Sequence, residues 1–387
     1  MLKFLVASTA AVDDPEEAVS EILAHLDLAA GLRKHAVGLV ACYYEFIDNG
    51  TLSALQESLP FDLIGCTVLG SAINGAYGTE RLSVTELTSD EIEFAVSLSP
   101  DLAKDNTAES MEQAWRQARA KVPGEPALLI PFFPIIDEVS GDLMLRQLDA
   151  SCGGLPIFGT LCNDGSLDYQ ESRTFLNGKA YRRKMALLLL HGPLKPRFYI
   201  DSVAPKNIQH QQAIVTESDG YRVTKVNNLP VLDYLAHIGI NMKTLTALSI
   251  LPFMVDYGDG APPVLVGIYS LTPKGMLCGG QMPVGARIRF VEIEYGSIME
   301  SAESALRQAY ADAREHGTSG MLAIPCMTRS LMTSPNLEDE LQKTVGVLSA
   351  HFPFMLLYSG GECCPVRSDT GVLVNRFHNY TYTLAVL

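Results

Sequence analysis

The segment Ser110–Ala120 reads SMEQAWRQARA, and Ser301–Ala311 reads SAESALRQAYA, so that seven of the eleven positions are identical. Each copy is followed by an apolar run that ends in proline, at Ala127–Pro131 and at Leu322–Pro325. An internal repeat determines the architecture of a chain more strongly than any single residue does. The duplication therefore predicts a structural unit that is used more than once.

A proline between two hydrophobic residues marks a corresponding place in each unit. It occurs after the two repeats, at Leu155–Ile157 (LPI) and Phe352–Phe354 (FPF), and again at Leu59–Phe61 (LPF) and Leu251–Phe253 (LPF). The four prolines lie 96, 96 and 101 residues apart. This period is too long for a solenoid, so it indicates a supersecondary unit that occurs four times.

Each unit has the pattern helix, strand, helix, strand, strand. In the first unit, Pro15–Gly31 has apolar residues at helical spacing, and Leu52–Leu59 is a second, shorter helix. Ala36–Tyr44, Phe61–Val68 and Ser83–Leu98 have the composition of strands. The third unit contains more strand than the others. Because the apolar strands can be covered on both faces, we predict an α/β fold in which packed sheets are covered by outer helices.

The chain is long enough for two domains of typical size. Apolar residues become sparse in Lys195–Asp219, which contains Pro196, Pro205 and a polar glutamine run. We therefore predict two similar domains, residues 1–203 and 204–387, each built from two of the units.

Composition and charge exclude several classes of protein. The chain of 387 residues is 47% hydrophobic and carries a formal net charge of −15, which disfavours nucleic acid as a partner because phosphate binding needs clustered Lys and Arg. No apolar run reaches the roughly 18 residues that a membrane span needs. The eight cysteines form no CxxC pair, so we expect reduced thiols and a cytoplasmic protein. No nucleotide-binding, zinc-protease or nucleophile-elbow motif is present in the sequence.

Five short motifs give the chain a resemblance to a known family. The C-terminal part contains Cys326–Arg329 (CMTR), Tyr358–Glu362 (YSGGE) and His378–Thr381 (HNYT), and the N-terminal part contains Gly65–Thr67 (GCT) and Phe158–Asp164 (FGTLCND). In these motifs the chain resembles the FIST sensory domain over essentially its whole length. The first predicted domain is similar to the N-terminal part of that family, and the second to its C-terminal part.

The resemblance implies a function as well as a fold. It implies a module that binds small molecules in bacterial signalling systems. Such a module passes its state to a separate kinase, cyclase or chemotaxis component. Some members of the family bind haem and respond to nitric oxide.

Arg329 is the first candidate site residue. It follows a buried strand, where an unpaired guanidinium would be costly, so it should pair with a carboxylate. Glu362, on a glycine-rich turn after the next strand, is the expected partner. Two interpretations remain open: the pair fixes two strand ends, or it lies at the mouth of a pocket where Arg329 holds a ligand carboxylate or phosphate.

The predicted pocket lies where these loops meet. We expect Cys326, Arg329, Glu362 and Asn379 to line it, with Tyr358 as an aromatic wall. Asn379 is expected on the last strand, where its side chain bonds a neighbouring turn such as the one that carries Glu362. Asp164 is taken as the counterpart of Glu362 in the repeat, which suggests a second cavity.

Two classes of function fit these observations. The first is a sensory protein without catalysis, whose ligand is an amino acid or another small carboxylate matched to Arg329. The second is a hydrolase or lyase that depends on Cys326 or on an Arg/Glu pair. A haem-binding nitric oxide sensor is a variant of the first class, with His378, His237 or His35 as the ligand. Because no pattern surrounds these histidines, we expect no haem and no metal.

Overall fold

A computed structural model describes residues 2–166, 168–202, 208–240, 252–333, 336 and 338–387. The predicted domain boundary between residues 203 and 204 lies outside these described residues, and so does residue 251 of the proline signature. The predicted α/β class is confirmed, because several sheets are present and helices pack against them.

Three parts of the chain fold as α/β units. The first contains β1 (Lys3–Thr9), α1 (Pro15–Leu26), α2 (Leu28–Gly31), β2 (His35–Cys42), α3 (Glu45–Asp48), α4 (Thr51–Ser58), β3 (Asp62–Thr67), β4 (Ser71–Ile73), β5 (Ala76–Gly78) and β6 (Leu82–Ser89). The second contains β7 (Glu93–Leu98), α5 (Thr107–Arg119), β8 (Pro126–Phe133), α6 (Gly141–Cys152), β9 (Gly159–Leu161), β10 (Thr174–Leu176), β11 (Lys179–Tyr181) and β12 (Ala186–His191).

The third unit is interrupted by an antiparallel insert. The unit begins with β13 (Arg197–Asp201). The insert contains β14 (Ile208–Ser218), β15 (Arg222–Val226), β16 (Leu229–Pro230), α7 (Val231–His237), β17 (Phe253–Asp256), β18 (Val264–Val266), β19 (Ile268–Thr272), β20 (Gly275–Cys278) and β21 (Arg287–Val291). The unit then continues with α8 (Tyr295–His316), β22 (Met321–Pro325), α9 (Met327–Met332), α10 (Asp339–Leu348), β23 (Phe354–Leu357), β24 (Glu362–Arg367), β25 (Leu373–His378) and β26 (Tyr382–Val386).

The three units form sheets with the same internal order. The first sheet is β1-β6-β2-β3-β10-β11, the second is β7-β12-β8-β9-β24-β25, and the third is β13-β26-β22-β23-β4-β5. In each sheet the third and fourth strands are parallel, and every other neighbouring pair is antiparallel. The same supersecondary unit is therefore used three times.

Each sheet is completed by a hairpin from another unit. The hairpin β4–β5 of the first unit pairs with β23 of the third sheet, and β10–β11 of the second unit pairs with β3 of the first sheet. The hairpin β24–β25 of the third unit pairs with β9 of the second sheet. We call these three elements the exchanged hairpins. The exchange joins the units in a closed cycle.

The three sheets share one central core, and helices cover their outer faces. Ile64, Leu188 and Ile324, one from each sheet, belong to the same buried apolar cluster. In β12, Leu188 and Leu190 face this core, while Leu187 and Leu189 face the layer that contains α5 and α6. A strand covered on both faces has such a continuous apolar sequence.

The sequence repeat corresponds to α5 and α8. Ser110, Met111, Ala114 and Ala118 are buried in α5, and the matching positions in α8, occupied by Ser301, Ala302, Ala305 and Ala309, are buried too. The shared residues thus form the helix face that packs on a sheet. The predicted duplication of these segments is confirmed.

Two sequence-based assignments need correction. The predicted strand Ser83–Leu98 is two strands in different sheets, β6 in the first and β7 in the second. The unit predicted around Pro252 does not repeat the α/β pattern in the described residues, because it folds as the antiparallel insert with its own core around Val215, Phe253 and Ile288.

Candidate functional site

The candidate site begins where β22 ends. Cys326 directly follows β22 and precedes α9, and its backbone N–H donates to the carbonyl of Thr381 at 3.0 Å. The next backbone N–H, of Met327, donates to the carbonyl of Ser359 at 2.7 Å. These bonds hold the start of α9 against the segments that precede β24 and β26.

Arg329 does not pair with Glu362, so this prediction was wrong. Its partner is Glu340 on α10, which accepts from Nε at 2.9 Å and from a terminal nitrogen at 2.7 Å. The guanidinium also donates to the carbonyls of Tyr380 and Ile298 and to the hydroxyl of Ser301. Glu340 lies in the first turn of α10, and no local pattern in the sequence shows that this turn faces Arg329.

Arg329 lies inside the third unit. It is 1% exposed, and its guanidinium stands 5.6 Å from the ring centroid of Tyr382. Because its donors point to protein acceptors on α8, α10 and the segment before β26, Arg329 ties these elements together. Neither predicted role of an Arg329–Glu362 pair applies, and the structure gives Arg329 a structural role in a pair with Glu340.

Glu362 is the first residue of the exchanged hairpin β24–β25. Its carboxyl is fully buried, and Oε2 accepts from the hydroxyl of Thr381 at 2.8 Å and from the Thr381 backbone N–H at 3.4 Å. Among the described residues, Oε1 has no nitrogen or oxygen donor. The Cys326 thiol, a weak donor, is close enough to bond the same carboxyl.

Burial sets the protonation of this pair. It raises the pKa of Glu362 above the ordinary value for a glutamate, and the bonds from Thr381 and Cys326 offset the rise only in part. Burial and the neighbouring Glu362 carboxyl also raise the pKa of the Cys326 thiol. Cys326 is therefore a thiol at neutral pH, whereas a nucleophilic cysteine needs a lowered pKa.

Three tyrosines that the sequence did not single out interact electrostatically with this pair. The pKa of Tyr269 is raised, mainly because protein displaces water from its hydroxyl group, and also by Tyr169, Cys326 and Glu362. Burial raises the pKa of Tyr169 to about 12, with a contribution from Cys326. The pKa of Tyr380 is raised by burial and then by Cys326, Tyr269 and Tyr169. We call Cys326, Glu362, Tyr169, Tyr269 and Tyr380 the Glu362 cluster.

The cluster joins distant parts of the chain. Tyr169 comes from the loop after β9, Tyr269 from the insert, and Tyr380 from the bend between β25 and β26. About half of the Tyr269 surface is accessible, so the cluster reaches solvent there. Tyr380 directly follows the predicted Asn379, but no local pattern in the sequence distinguishes Tyr169 or Tyr269.

Three further residues that were predicted for the site do not belong to the Glu362 cluster. Asn379 is in the bend after β25 and not on a strand; its Oδ1 accepts from the backbone of Gly267, not from the turn that carries Glu362. Asp164 accepts from Ser166 and from the backbone of Glu171, so it holds the loop that carries Tyr169. Tyr358 packs in the helix-covered core of the third unit, where Glu340 and Arg329 affect its pKa, and does not form a wall of the cluster.

The exchanged hairpins show which residue is the counterpart of Glu362. The first residues of these hairpins are Ser71, Thr174 and Glu362. The Ser71 hydroxyl lies 2.8 Å from the Ser83 hydroxyl on β6, and the Thr174 hydroxyl donates to the carbonyl of Lys184, before β12, at 2.6 Å. Each thus bonds the closing strand of its unit or the segment just before it, as Glu362 does through Thr381. Thr174, and not the predicted Asp164, is the counterpart by topology.

The candidate haem ligands are histidines in ordinary structural settings. Nε2 of His378 lies 3.1 Å from the carbonyl of Cys364, and burial lowers the pKa of His378 to about 4, so the ring is neutral at pH 7. His35 begins β2, and His237 ends α7. Within the described ranges, no group of three His, Cys, Asp or Glu side chains is arranged to hold a metal ion.

The repeated α/β units and the buried polar cluster define a globular α/β protein with a candidate ligand site. The chain belongs to the FIST family: the FIST N domain matches residues 36–229, and the FIST C domain matches residues 231–365. FIST domains are recognised as small-ligand sensory domains of signalling proteins. No curated protein matches the chain.

Two solved structures share similarity over the full length of the chain. Cyanuric acid hydrolase from A. caulinodans has a TM-score of 0.40 and 10% identity, covering 100% of this chain and 98% of that one. A second cyanuric acid hydrolase, described as an evolutionary innovation by structural concatenation, has a TM-score of 0.38 and 6% identity, covering 100% and 99%. At these values the similarity carries no inference about activity. In the part of the chain that is described, no helix is long and apolar enough to cross a membrane.

Proposed function

We propose that this chain is the ligand-binding part of a signalling pathway and that the Glu362 cluster holds its ligand. The observation that carries the proposal is the buried carboxyl of Glu362, whose Oε1 has no nitrogen or oxygen donor in the described structure. Leaving a buried polar atom unsatisfied costs roughly 1–3 kcal/mol. The Cys326 thiol is only a weak donor to this carboxyl, so the carboxyl still calls for an explanation, and a bound ligand supplies one.

Comparison of the three exchanged hairpins supports a functional role for this carboxyl. Ser71 and Thr174 occupy the first position of the other two hairpins, where a neutral hydroxyl makes the bond to the same unit. The fold therefore does not require a carboxyl at this position. A titratable group that burial perturbs, beside a cysteine and three tyrosines, is typical of a functional site.

The cluster favours a ligand with an amino group. Glu362 can accept a hydrogen bond from an ammonium group, and pairing with a positive charge would favour the ionised carboxylate. An amino acid, the ligand class expected from the sequence, satisfies this requirement. The expected match between its carboxylate and Arg329 loses support, because the Arg329 donors bond groups within the protein.

Binding without turnover is the proposed mode of action. The raised pKa of Cys326 keeps its sulfur as a thiol, which is unsuited to nucleophilic attack. All eight cysteines are free, which supports the cytoplasm as the location of the protein. The signal would pass to a separate kinase, cyclase or chemotaxis component. The net charge of −15 disfavours nucleic acid as a partner.

A thermal-shift screen of metabolites, with amino acids and small amines among them, tests this proposal. A ligand at a hundred times its Kd should stabilise the folded state by about 2.7 kcal/mol. The variant Glu362→Thr, which copies the residue at Thr174, should stay folded and lose the shift. Glu86→Gln, which changes another fully buried glutamate, is the matched control and should keep the shift.

Two results would refute the proposal. If no amine, amino acid or other metabolite shifts the melting temperature at millimolar concentration, the receptor function fails. If a shift is equal in wild type and Glu362→Thr, the ligand binds elsewhere. Consumption of a ligand over hours would identify an enzyme, the alternative class expected from the sequence.

A further inference from the structure

A cleft of about 330 Å³ lies between α6 and the antiparallel insert, and no member of the Glu362 cluster lines it. Its lining includes Asp142 and Arg146 of α6, Tyr257 of the insert, and Asn375, Arg376 and Phe377 of β25. The volume is within the range of small-molecule sites, roughly 300–1,000 Å³. The cleft therefore has room for a small molecule.

One wall of the cleft is a face of α6. Asp142, Arg146 and Asp149 are four and three residues apart, so their side chains follow one face of the helix. Asp142 is 8% exposed, and its contacts with the Gln281 backbone N–H, the Tyr221 hydroxyl and Arg146 all involve Oδ2. None of these three contacts involves Oδ1. Burial raises the pKa of Asp142 despite the nearby Arg146.

Two arginines in the lining, Arg146 on α6 and Arg376 on β25, bring positive charge to the cleft. The guanidinium of Arg376 lies 5.4 Å from the ring centroid of Tyr257 and pairs with Asp259. Its Nε is buried and has no hydrogen-bond partner among the described residues. Arg146 is about half exposed, and its nearest carboxylate, on Asp142, lies at 3.5 Å, beyond good hydrogen-bond distance. Arg146 thus retains donor capacity in the cleft, and the Arg376 guanidinium adds positive charge beside it.

Acceptors and donors of opposite charge therefore share one cavity. A charge-assisted hydrogen bond from a ligand to such a group is stronger than a bond between neutral groups. A purely anionic ligand would meet the carboxylates of Asp142, Asp149 and Asp259, and a purely cationic one would meet Arg146 and Arg376. A molecule that carries both charges can match both sets of groups.

We propose that this cleft is a second binding site, for a small zwitterion whose ammonium group bonds Oδ1 of Asp142 and whose carboxylate bonds Arg146 and Arg376. The site is separate from the Glu362 cluster, and the proposal does not depend on a ligand there. A molecule bound in the cleft contacts Arg146 within the FIST N match and Tyr257 within the FIST C match. It would bridge the two family domains.

Calorimetric titration of the full chain with matched probes tests the proposal. The zwitterionic probes are glycine, γ-aminobutyrate and ε-aminocaproate, which differ in the distance between the two charges. Butyrate and butylamine each carry one of the two charges of γ-aminobutyrate. At least one zwitterion should bind, and its matched single-charge analogues should bind at least about tenfold more weakly. Failure of all three zwitterions to bind, or equal binding of the single-charge analogues, would overturn the proposal.

Variants locate the binding. Arg146→Ala should weaken zwitterion binding by about tenfold or more, because a carboxylate loses a charge-assisted donor. Arg116→Ala is the matched control, since Arg116 forms the same i,i+4 pair on another helix, with Glu112. It should leave the affinity unchanged. Undiminished binding in Arg146→Ala would place the zwitterion outside the cleft.

Discussion

Removal of the Arg329 side chain should destabilise the protein strongly. Arg329→Ala deletes a guanidinium that is 1% exposed and that makes five hydrogen bonds, two of them to Glu340. The Glu340 carboxyl, which is fully buried and whose Oε2 already has no hydrogen-bond partner among the described residues, would then have no counter-charge. Breaking a buried pair in this way costs about 3–5 kcal/mol.

Equilibrium unfolding in urea measures this loss. The midpoint concentration should fall while the slope m stays constant, which indicates that stability has changed and the exposed surface has not. Arg307→Ala is the matched control: Arg307 pairs with Glu303 at 3.0 Å, but on the surface of α8. Solvent screens an exposed pair of this kind so that it contributes little to stability, and this variant should unfold almost as wild type does.

A double variant separates the effect of an unpaired charge on stability from the effect of the other lost contacts. Replacement of both charges, as in Arg329→Met with Glu340→Leu, should recover most of the lost stability, because no unpaired charge remains. A loss below about 1 kcal/mol in Arg329→Ala would refute the assignment of a buried structural pair. Loss of ligand binding in a variant that keeps its stability would instead restore the interpretation in which Arg329 holds the ligand.

Three further substitutions test the buried groups. Burial raises the pKa of Glu86 to about 7, so the contribution of Glu86 to stability is greatest while the carboxyl is protonated and is lost as the pH rises from about 5 to 7. The variant Glu86→Gln should lack this loss of stability. Parallel pH profiles of unfolding for the variant and the wild type would contradict the prediction. Glu362→Thr should unfold within about 1 kcal/mol of wild type, measured in urea, because the other exchanged hairpins begin with a hydroxyl residue. Gly279→Ala would place a Cβ 2.9 Å from Oδ1 of Asn379 and from the Tyr269 ring. This crowding should lower the free energy of unfolding by roughly 1–3 kcal/mol and weaken ligand binding. Unchanged affinity would show that Tyr269 does not contact the ligand.

The elements that the sequence predicted well are those with a strong local signal. The repeated segments in α5 and α8 keep small residues at the same buried positions, such as Ala114 and Ala305, and this spacing is visible without a structure. The apolar strands in the central core have an equally strong local signal in the sequence. By contrast, Ser83–Leu98 was read as one strand, because β6 and β7 are only three residues apart and both are rich in strand-forming residues.

The exchange of hairpins could not be predicted. The pairing of β4, β10 and β24 with strands of other units is made by backbone hydrogen bonds. Those bonds involve groups that every residue carries, so no side-chain pattern identifies the partner strand. The same exchange explains why the prediction of Asp164 as the counterpart of Glu362 was wrong. That prediction relied on the place of Asp164 in its loop, whereas in the fold Thr174 occupies the position that corresponds to Glu362.

The contacts of the predicted site residues depend on packing in a similar way. Cys326 and Glu362 were expected to line one pocket, and the structure brings the Cys326 thiol close to the Glu362 carboxyl, where β22 ends and β24 begins. The partner of Arg329 was wrong, because the orientation of α10 toward α9 is decided by packing and not by local sequence. Tyr169 and Tyr269 were missed, because they approach the site from the second unit and from the insert.

The exchanged hairpin β24–β25 links the two proposed sites. Glu362, its first residue, belongs to the Glu362 cluster, and Arg376 on β25 lines the cleft. The two strands pair continuously, from Glu362 opposite His378 to Arg367 opposite Leu373, so the hairpin is a single hydrogen-bonded element. A ligand that shifts this element at one site should alter affinity at the other, and thermodynamics requires the effect to be equal in both directions. Titration of either ligand in the presence of the other measures that effect; independent affinities would show that the hairpin does not transmit it.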